Sequence, residues 1–344
     1  MQDVSIWFSE LPTAWWHVKA PPPVCVAAYY TGLLLVVSGT LRRTPKWAVP
    51  ALVVLPLVAA LDWRREHHRT QLTVLPLKGG HAVCLELAGG ETWLIDPGNE
   101  GSYDFRVRPF LQSRGINRLD HLVLTHGDLR HIGGAARLIA DFAPRRVHAG
   151  PLLHRSTAYR QLLASLEDSG QPAGIVANGT VLPPWTVVHP DAGDRFQRAD
   201  TGPLVLAGEL AGRRILLAPD LDREGQLLLA ERHSELRADL LITSPGTDGD
   251  PARAELLQLL RPDWLIVADA THPATERVRP VIRQRLRDRV KEVSFTSDTG
   301  TLQIREDREG FAVWRAADEP RSVPGDPAQS QQGRFVDGTS PVPR

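Results

Sequence analysis

The sequence lacks an excess of either charge. It contains 40 Lys and Arg residues against 40 Asp and Glu residues in a chain of 344. A chain without net charge is not a generally basic nucleic-acid coat, although local basic patches remain open. Charged residues make up 23% and hydrophobic residues 42% of the chain. This balance excludes both an intrinsically disordered chain and a polytopic transporter.

Cysteines and several common catalytic motifs are also scarce or missing. The two cysteines, Cys25 and Cys84, cannot form a disulfide framework or a cysteine-rich zinc site. No GxGxxG or GxxxxGK[ST] phosphate loop occurs, and no GxSxG nucleophile elbow occurs either. The sequence therefore gives no sign of a dinucleotide-binding protein, a P-loop enzyme or a serine hydrolase with that elbow.

Long apolar runs occur near the start of the chain. Residues 23–41 contain no formal charge over nineteen positions, which as a helix would cover nearly the ~30 Å hydrocarbon core. Residues 47–61 form a second, shorter run that contains Pro50 and Pro56. Tryptophans near the ends of these runs are typical of membrane interfaces: Trp15, Trp16, Trp47 and Trp63. We predict two membrane helices, at about 23–41 and 47–61.

The apolar runs have two alternative interpretations. A cleaved signal peptide fits poorly because Asp3 and Glu10 stand where a basic leader is expected. A buried globular hairpin remains the other alternative. If the basic connection at 42–46 is cytoplasmic, everything after residue 70 is extracytoplasmic, although the basic residues at 64–69 oppose this orientation. The expected location is the cell membrane.

The chain after residue 70 has the pattern of a soluble α/β domain. Short apolar strand patterns recur at 72–77, 81–87, 92–97, 121–126, 204–210, 213–220, 239–245 and 263–270. Helical patterns lie between several of them, at 106–115, 133–142, 158–168, 252–260 and 276–286. This order indicates sheets covered by helices. We predict a membrane region at 1–70, a domain at 71–315 and a disordered tail at 316–344.

The segment 122–134, LVLTHGDLRHIGG, carries the clearest chemical pattern. An apolar strand ends in His126, and Asp128 and His131 follow before a glycine pair. Imidazole and carboxylate groups converging at a strand end suit zinc or manganese. The alternative is that these are ordinary polar turn residues. Asp96 and Asp220 also follow apolar strands, where α/β folds commonly place their sites.

These motifs together resemble the metallo-β-lactamase fold, an αββα sandwich. LIDPG (94–98) is similar to that family's LIDTG turn, LTHGDLRHIGG (124–134) to its T-H-x-H-x-D-H-x-G-G metal loop, and LLAPD (216–220) to its GD turn with a bridging aspartate. The aspartate at the second histidine position resembles the extracytoplasmic domain of the ComEC competence proteins. VRPFLQSRGINRLDHLVLTH (107–126), TGPLVLAGEL (201–210) and TSDTGTLQI (296–304) also resemble stretches of that subfamily.

The resemblance implies a metal site, but the sequence departs from the family pattern. Arg130 stands where the family has an aspartate, and residues 244–247 replace its HHGS. The early VGQGD turn is replaced at residues 77–81. The implied ligands are His126, Asp128, His131 and Asp220, with Asp200 where the family often has asparagine. Because arginine is not a zinc ligand, we expect at most one divalent metal, zinc or manganese, or none.

The resemblance implies a DNA-uptake function with the membrane and DNA as partners, and with a separate competence channel subunit as a further one. In an active domain, the metal would promote hydrolysis of phosphodiesters, with Asp128 and Asp220 as the catalytic carboxylates. The alternative is a catalytically degenerate, membrane-anchored domain that binds DNA or a channel partner. An unrelated small-molecule hydrolase of the same fold is a third hypothesis.

The substitution at Arg130 leads to a geometric prediction. A buried carboxylate without a cation is unfavourable, and a guanidinium carries a permanent charge with donors that match a carboxylate. We expect Arg130 to replace the missing metal by pairing with Asp220 or Asp128. A guanidinium nitrogen should then lie within about 4 Å of one of these carboxylates.

Overall fold

The structure is a computed structural model that describes residues 16–39, 50, 54, 56–61, 69–152, 156–210, 212–274, 277–307 and 310–315. The predicted tail at 316–344 lies outside the described residues, as do residues 47–49, 51–53 and 55 of the second apolar run. Within that run, residues 50, 54 and 56–61 are helical.

The first apolar run forms helix α1, Pro23–Val37. The helix was predicted to continue to residue 41, but it ends four residues earlier. Ser38 is its C-terminal cap and Gly39 follows with φ 66°, a left-handed conformation that stops a helix. None of the 15 residues of α1 is buried. Among the described residues, no helix has the length and apolar character needed to cross a membrane.

The domain is built on two β-sheets. The first sheet has the order β15-β14-β1-β2-β3-β4-β5-β6, and the second has the order β13-β12-β11-β10-β9-β8-β7. The strands of the first sheet are β1 (Gln71–Leu75), β2 (Ala82–Glu86), β3 (Thr92–Ile95), β4 (His121–Leu124), β5 (Arg146–Ala149), β6 (Gly174–Ile175), β14 (Leu302–Asp307) and β15 (Gly310–Arg315). Those of the second are β7 (Val181–Leu182), β8 (Trp185–His189), β9 (Val205–Leu210), β10 (Arg213–Ala218), β11 (Leu240–Thr243), β12 (Trp264–Val267) and β13 (Glu292–Phe295).

Helices connect many of these strands. They are α2 (Glu100–Ser102), α3 (Arg108–Ser113), α4 (Leu129–Ile132), α5 (Ala135–Phe142), α6 (Thr157–Asp168), α7 (Arg223–Arg232), α8 (Ala254–Leu260), α9 (Pro280–Arg289) and α10 (Thr296–Thr299). A π-helix at Tyr103–Val107 joins α2 to α3, and a 3₁₀ turn spans Ala199–Thr201.

Three apolar clusters bind the layers together. One lies between the sheets, where Trp93 of β3 and Trp185 of β8 are both almost fully buried. A second packs the first sheet against α3, α5 and α6, and a third packs the second sheet against α7, α8 and α9. The molecule is therefore a helix–sheet–sheet–helix sandwich, which confirms the prediction of an α/β fold with two sheets.

Parallel strands bring the carboxyl ends of both sheets to one end of the sandwich. Strands β3, β4 and β5 run parallel to one another, as do β10, β11, β12 and β13. Loops that leave the carboxyl ends of β3, β4 and β10 meet between the layers. This end of the sandwich, called the site end below, carries the candidate residues.

Candidate metal centre

Asp96 follows β3 in a left-handed backbone conformation, with φ 54°. Such a conformation is uncommon for a residue other than glycine and often marks a functional position. The backbone N–H of Thr125 donates to Oδ1 at 2.8 Å, and the Thr125 hydroxyl donates to Oδ2 at 2.5 Å. These bonds fix the carboxylate of Asp96 at the carboxyl end of β4.

Asp220 occupies the corresponding position after β10 in the second sheet. Its φ is 48°, and only 1% of the residue is exposed. Ser244, which follows β11, donates its hydroxyl to Oδ1 of Asp220 at 2.5 Å and accepts the Asp220 backbone N–H at 3.1 Å. Ser244 begins the segment that replaces the HHGS pattern, and it now anchors Asp220.

The loop between β4 and α4 supplies the remaining predicted residues. Asp128 caps the N-terminus of α4 by accepting the backbone N–H of Arg130 at 2.8 Å. Gly134 follows α4, and a Cβ at this position would lie 2.4 Å from Cβ of Tyr103. Gly80 approaches the same loop so closely that a Cβ would lie 2.3 Å from the carbonyl oxygen of Arg130. Gly134 thus allows close packing against the π-helix, and Gly80 allows the turn before β2 to pack against the loop.

His131 links the two aspartates that end the strands. Its Nδ1 lies 2.9 Å from Oδ2 of Asp96, and its Nε2 lies 2.9 Å from Oδ2 of Asp220. Burial alone would lower the pKa of His131, but Asp220 and Asp96 outweigh burial and raise this pKa to about 10. The pKa of Asp220 is held well below its usual range, because His131 outweighs the opposing effect of burial.

Arg130 lies between the carboxylates of Asp128 and Asp220. Its Nη2 is 2.9 Å from Oδ2 of Asp128 and 3.4 Å from Oδ2 of Asp220. The guanidinium is partly exposed, whereas Asp220 is buried. The predicted pairing of Arg130 with one of these carboxylates is confirmed, and the structure shows contact with both.

Asp200 also reaches this centre from the 3₁₀ turn. It is 4% exposed, and its Oδ2 accepts the backbone N–H of Thr247 at 2.8 Å. Burial raises the pKa of Asp200, and the nearby charge of Asp220 adds to this effect. Asp200 therefore brings a further carboxylate to a region that is already rich in negative charge.

His81 is a residue that the sequence analysis missed. It follows Gly80 directly before β2, is 3% exposed, and its Nδ1 lies 3.6 Å from Oδ2 of Asp96. Neither ring nitrogen has a hydrogen-bond partner among the described residues. Burial lowers the pKa of His81 to about 4, so the ring is neutral. Its signal was present, since His81 ends the segment that replaces the VGQGD turn.

Three groups of side chains bring potential metal ligands together within 4.8 Å: His81, Asp96 and His131; His126, His131 and Asp220; and His126, Asp128 and Asp200. In the first two groups, His131 already contacts a carboxylate through each ring nitrogen. An imidazole that donates from both nitrogens has no lone pair for a metal. The third group does not depend on His131.

The group of His126, Asp128 and Asp200 fits one divalent cation. Burial lowers the pKa of His126 to about 3, so this ring is neutral and can ligate. One nitrogen and two carboxylates suit manganese or zinc. A cation here would also relieve the repulsion between Asp200 and Asp220. The region beside Asp220 is different, because the Arg130 guanidinium already supplies positive charge there.

His189, a further buried histidine, belongs to none of these three groups. The Nε2 of His189 donates to the carbonyl oxygen of Thr201 at 2.8 Å, which ties β8 to the 3₁₀ turn. His154 belongs to a segment that the structure does not describe.

Comparisons with known proteins agree with the fold and its motifs. The family model described as Metallo-beta-lactamase superfamily matches residues 76–220. The chain is 27% identical to ComE operon protein 3 of Bacillus subtilis (strain 168) over 233 residues, which covers 65% of this chain and 30% of that protein. It is 23% identical to Competence protein ComA of Neisseria gonorrhoeae over 315 residues, which covers 90% of this chain and 42% of that protein. The chain thus spans less than half the length of these curated relatives.

Solved structures give a weaker likeness. The metallo-β-lactamase fold protein YhfI from Bacillus subtilis aligns with 71% of this chain and 99% of its own, at 12% identity and a TM-score of 0.45.

Proposed function

We propose that this chain, which contains a metallo-β-lactamase domain and has homologues named as competence proteins, is a membrane-associated DNA-handling domain with a single-cation site. Its substrate class would be the phosphodiester of incoming DNA, and its hydrolytic activity would be low. The separate parts of this proposal rest on different observations.

The observation that carries the proposal is the position of Arg130. Its guanidinium contacts both Asp128 and Asp220, where the resemblance expects a second metal. A permanent positive charge at that point repels a second cation and satisfies Asp220 without one. The site thus retains one cation position, at His126, Asp128 and Asp200.

Each polar residue then has a distinct role. When bound, a divalent cation supplies Lewis-acid polarisation of a phosphoryl oxygen and lowers the pKa of a water ligand. Asp128 and Asp200 would hold this cation together with His126. Asp220 fixes the positions of Arg130 and His131. The exposed part of the Arg130 guanidinium is placed to meet an anionic phosphate oxygen, although its pairing with Asp128 weakens that interaction.

A second candidate is a catalytically degenerate domain that binds DNA or a channel partner without metal. The contacts of His131 with Asp96 and Asp220, together with those of Arg130, favour this alternative. They place two cationic side chains against the buried carboxylates, so the fold does not require a metal for charge balance.

Membrane association is part of the proposal. Helix α1 exposes apolar side chains on all sides, and Tyr29, Leu34 and Val37 are each at least 66% exposed. Exposure of so much apolar surface is unfavourable in water and favours a lipid or protein environment. The proposed extracytoplasmic position of the domain follows from the basic connection at 42–46, and the proposed boundaries at 70 and 315 follow from the change in sequence pattern at these positions.

Manganese binding tests the proposed site directly. Isothermal titration of the full chain with Mn²⁺ should give one ion per chain, and Asp200→Asn should weaken binding more than tenfold because it removes an anionic ligand. Asp168→Asn is the matched control, since Asp168 is exposed at the end of α6. A low, Mn²⁺-dependent cleavage of a short DNA duplex should disappear in Asp200→Asn.

Three outcomes contradict the single-cation proposal. Two tightly bound ions per chain would show that Arg130 does not exclude the second metal. Equal affinities in Asp200→Asn and Asp168→Asn would remove Asp200 from the site. Absence of any metal binding, with DNA binding retained, would favour the degenerate alternative.

A further inference from the structure

A cavity at the end of the sandwich opposite the candidate metal centre collects basic side chains. It has a volume of about 660 Å³ and lies beside the C-terminal ends of α8 and α9. Its lining consists of Leu257, Gln258, Arg261, Pro262, Arg289 and Lys291. Three of these residues are cationic and none is acidic.

The three cations differ from several neighbouring arginines in their charge surroundings. Within the described residues, no ion pair joins Arg261, Arg289 or Lys291 to a carboxylate, whereas four arginines of the same sheet and its helices form such pairs: Arg214, Arg232, Arg283 and Arg285. Each side chain belongs to an exposed residue. Helix C-termini favour nearby cations, which explains the positions of Arg261 and Arg289 after α8 and at the end of α9. It does not explain their convergence with Lys291 around one acid-free cavity.

The cavity lies at the end of the molecule where α1 is attached. Arg261 and Lys291 directly precede the parallel strands β12 and β13, so they lie at the amino ends of these strands. Glu86 lies at the same end of the first sheet, because β2 is antiparallel to β3 and Glu86 pairs with Thr92. Lys19 contacts Glu86 at 3.5 Å.

A short proline-rich connection leads from this attachment to the apolar helix. The backbone N–H of His17 donates to Oδ1 of Asn117 at 2.7 Å, and the side-chain amide of Asn117 donates back to the His17 carbonyl at 2.7 Å. Three residues separate Lys19 from the start of α1 at Pro23, a distance of about 14 Å at most. The helix therefore begins close to the end of the sandwich that carries the cavity.

We infer that this cavity binds the phosphate headgroup of an anionic lipid. The cations match the charge of the phosphate, Leu257 and Pro262 form the apolar part of the wall, and α1 brings the same end of the domain towards a lipid surface. A headgroup at this position would direct the site end away from the membrane. The inference rests on the proposed membrane association and is independent of the metal site.

Vesicle binding by the full chain tests the inference. The probes are vesicles of phosphatidylcholine alone and of three parts phosphatidylcholine to one part phosphatidylglycerol. Phosphatidylglycerol should strengthen binding of the natural chain. In the variant Arg261→Gln/Lys291→Gln, the affinity for the phosphatidylglycerol vesicles should fall about fivefold for each cation removed. The control Arg160→Gln/Arg223→Gln removes the same charge from exposed positions outside the cavity and should change binding less than twofold.

The possible outcomes separate this inference from the proposed membrane association. Absence of binding to either vesicle would contradict both. Binding that is equal for both vesicles would retain membrane association and overturn the anionic headgroup site. An equal loss of vesicle binding in the two double variants would also overturn it. So would a result in which Arg261→Gln/Lys291→Gln weakens binding of inorganic phosphate or a short DNA duplex but leaves vesicle binding unchanged. Matching thermal melts of both variants would show that the fold is retained.

Discussion

Arg130 places a permanent positive charge between the carboxylates of Asp128 and Asp220. A metal and a guanidinium both supply positive charge to a buried carboxylate, but only the metal can activate a bound water. The guanidinium contacts Asp128 and Asp220 simultaneously, so it balances charge on both sides of the centre. The same contacts reduce the negative charge that Asp128 offers to a metal.

The first prediction measures this charge balance in the metal-free protein. Arg130→Ala should lower the free energy of unfolding by about 1–3 kcal/mol, since Asp220 is buried while the guanidinium is partly exposed. Urea unfolding in the presence of a chelator would measure the change. Arg145→Ala is the control, because Arg145 pairs with Asp120 at 3.1 Å on the surface and should cost below about 1 kcal/mol. Equal losses for both variants would contradict a compensatory role of Arg130.

At the scale of elements, the apolar pattern of the sequence predicted the strands better than it predicted which side chains meet at the candidate metal centre. Apolar runs such as 213–220 correspond to strand β10 because burial on both sides of a parallel strand requires continuous apolar residues. Strand β13 was missed because only Val293 and Phe295 of its four residues are apolar, and helix α7 was missed because its pattern is weakly amphipathic. The motif at 124–134 predicted the loop that carries His126, Asp128 and His131, whereas the contact of His81 with Asp96 depends on the pairing of β2 with β3.

Strands β3, β4 and β5 carry a stacked aromatic group that also escaped the sequence analysis. The rings of Trp93 and His121 stack with centroids 3.7 Å apart, and Nδ1 of His121 lies 2.9 Å from Nε2 of His148. These residues come from separate strands, so their contact depends on the strand register. Local sequence patterns do not reveal such a contact.

This histidine pair leads to a prediction about pH. Burial lowers the pKa of His121 and that of His148 to about 4, below the usual value of 6.5. Above about pH 4 both rings are neutral in the folded protein, although Nε2 of His121 contacts Oε1 of Glu91 at 2.9 Å. The unfolded chain therefore binds more protons between pH 4 and 6.5. The contribution of each group is therefore present above pH 6.5 and is lost as the pH falls towards 4. His148→Gln should reduce the slope of unfolding free energy against pH by up to one proton, as measured by urea unfolding at several pH values. An unchanged slope would contradict the burial argument.

At the scale of the whole molecule, the two ends of the sandwich have different charge arrangements. Carboxylates and histidines lie together at the site end, where Asp96 follows a strand of the first sheet and Asp220 follows a strand of the second. The opposite end carries the cavity with Arg261, Arg289 and Lys291, and it lies close to the attachment of α1. Strands of four to six residues separate these ends by about 13–20 Å. A substitution that alters binding at one end therefore does not contact the residues at the other end.

The last prediction concerns the dependence of the whole fold on metal. Arg130→Asp would restore the residue type that the family pattern has at this position, next to Asp128 and Asp220. Without metal, it replaces a cation by an anion beside a buried carboxylate, so we expect a loss of about 3–5 kcal/mol in unfolding free energy. A metal binds the folded state preferentially, so Mn²⁺ should recover much of this loss in the variant. In the natural protein, Mn²⁺ should raise the free energy of unfolding far less. Urea midpoints with chelator and with Mn²⁺ would measure both effects, and Arg130→Gln would isolate the loss of positive charge from the gain of negative charge. If the metal-free Arg130→Asp variant were as stable as the natural protein, the guanidinium would not be the cation that holds this centre together.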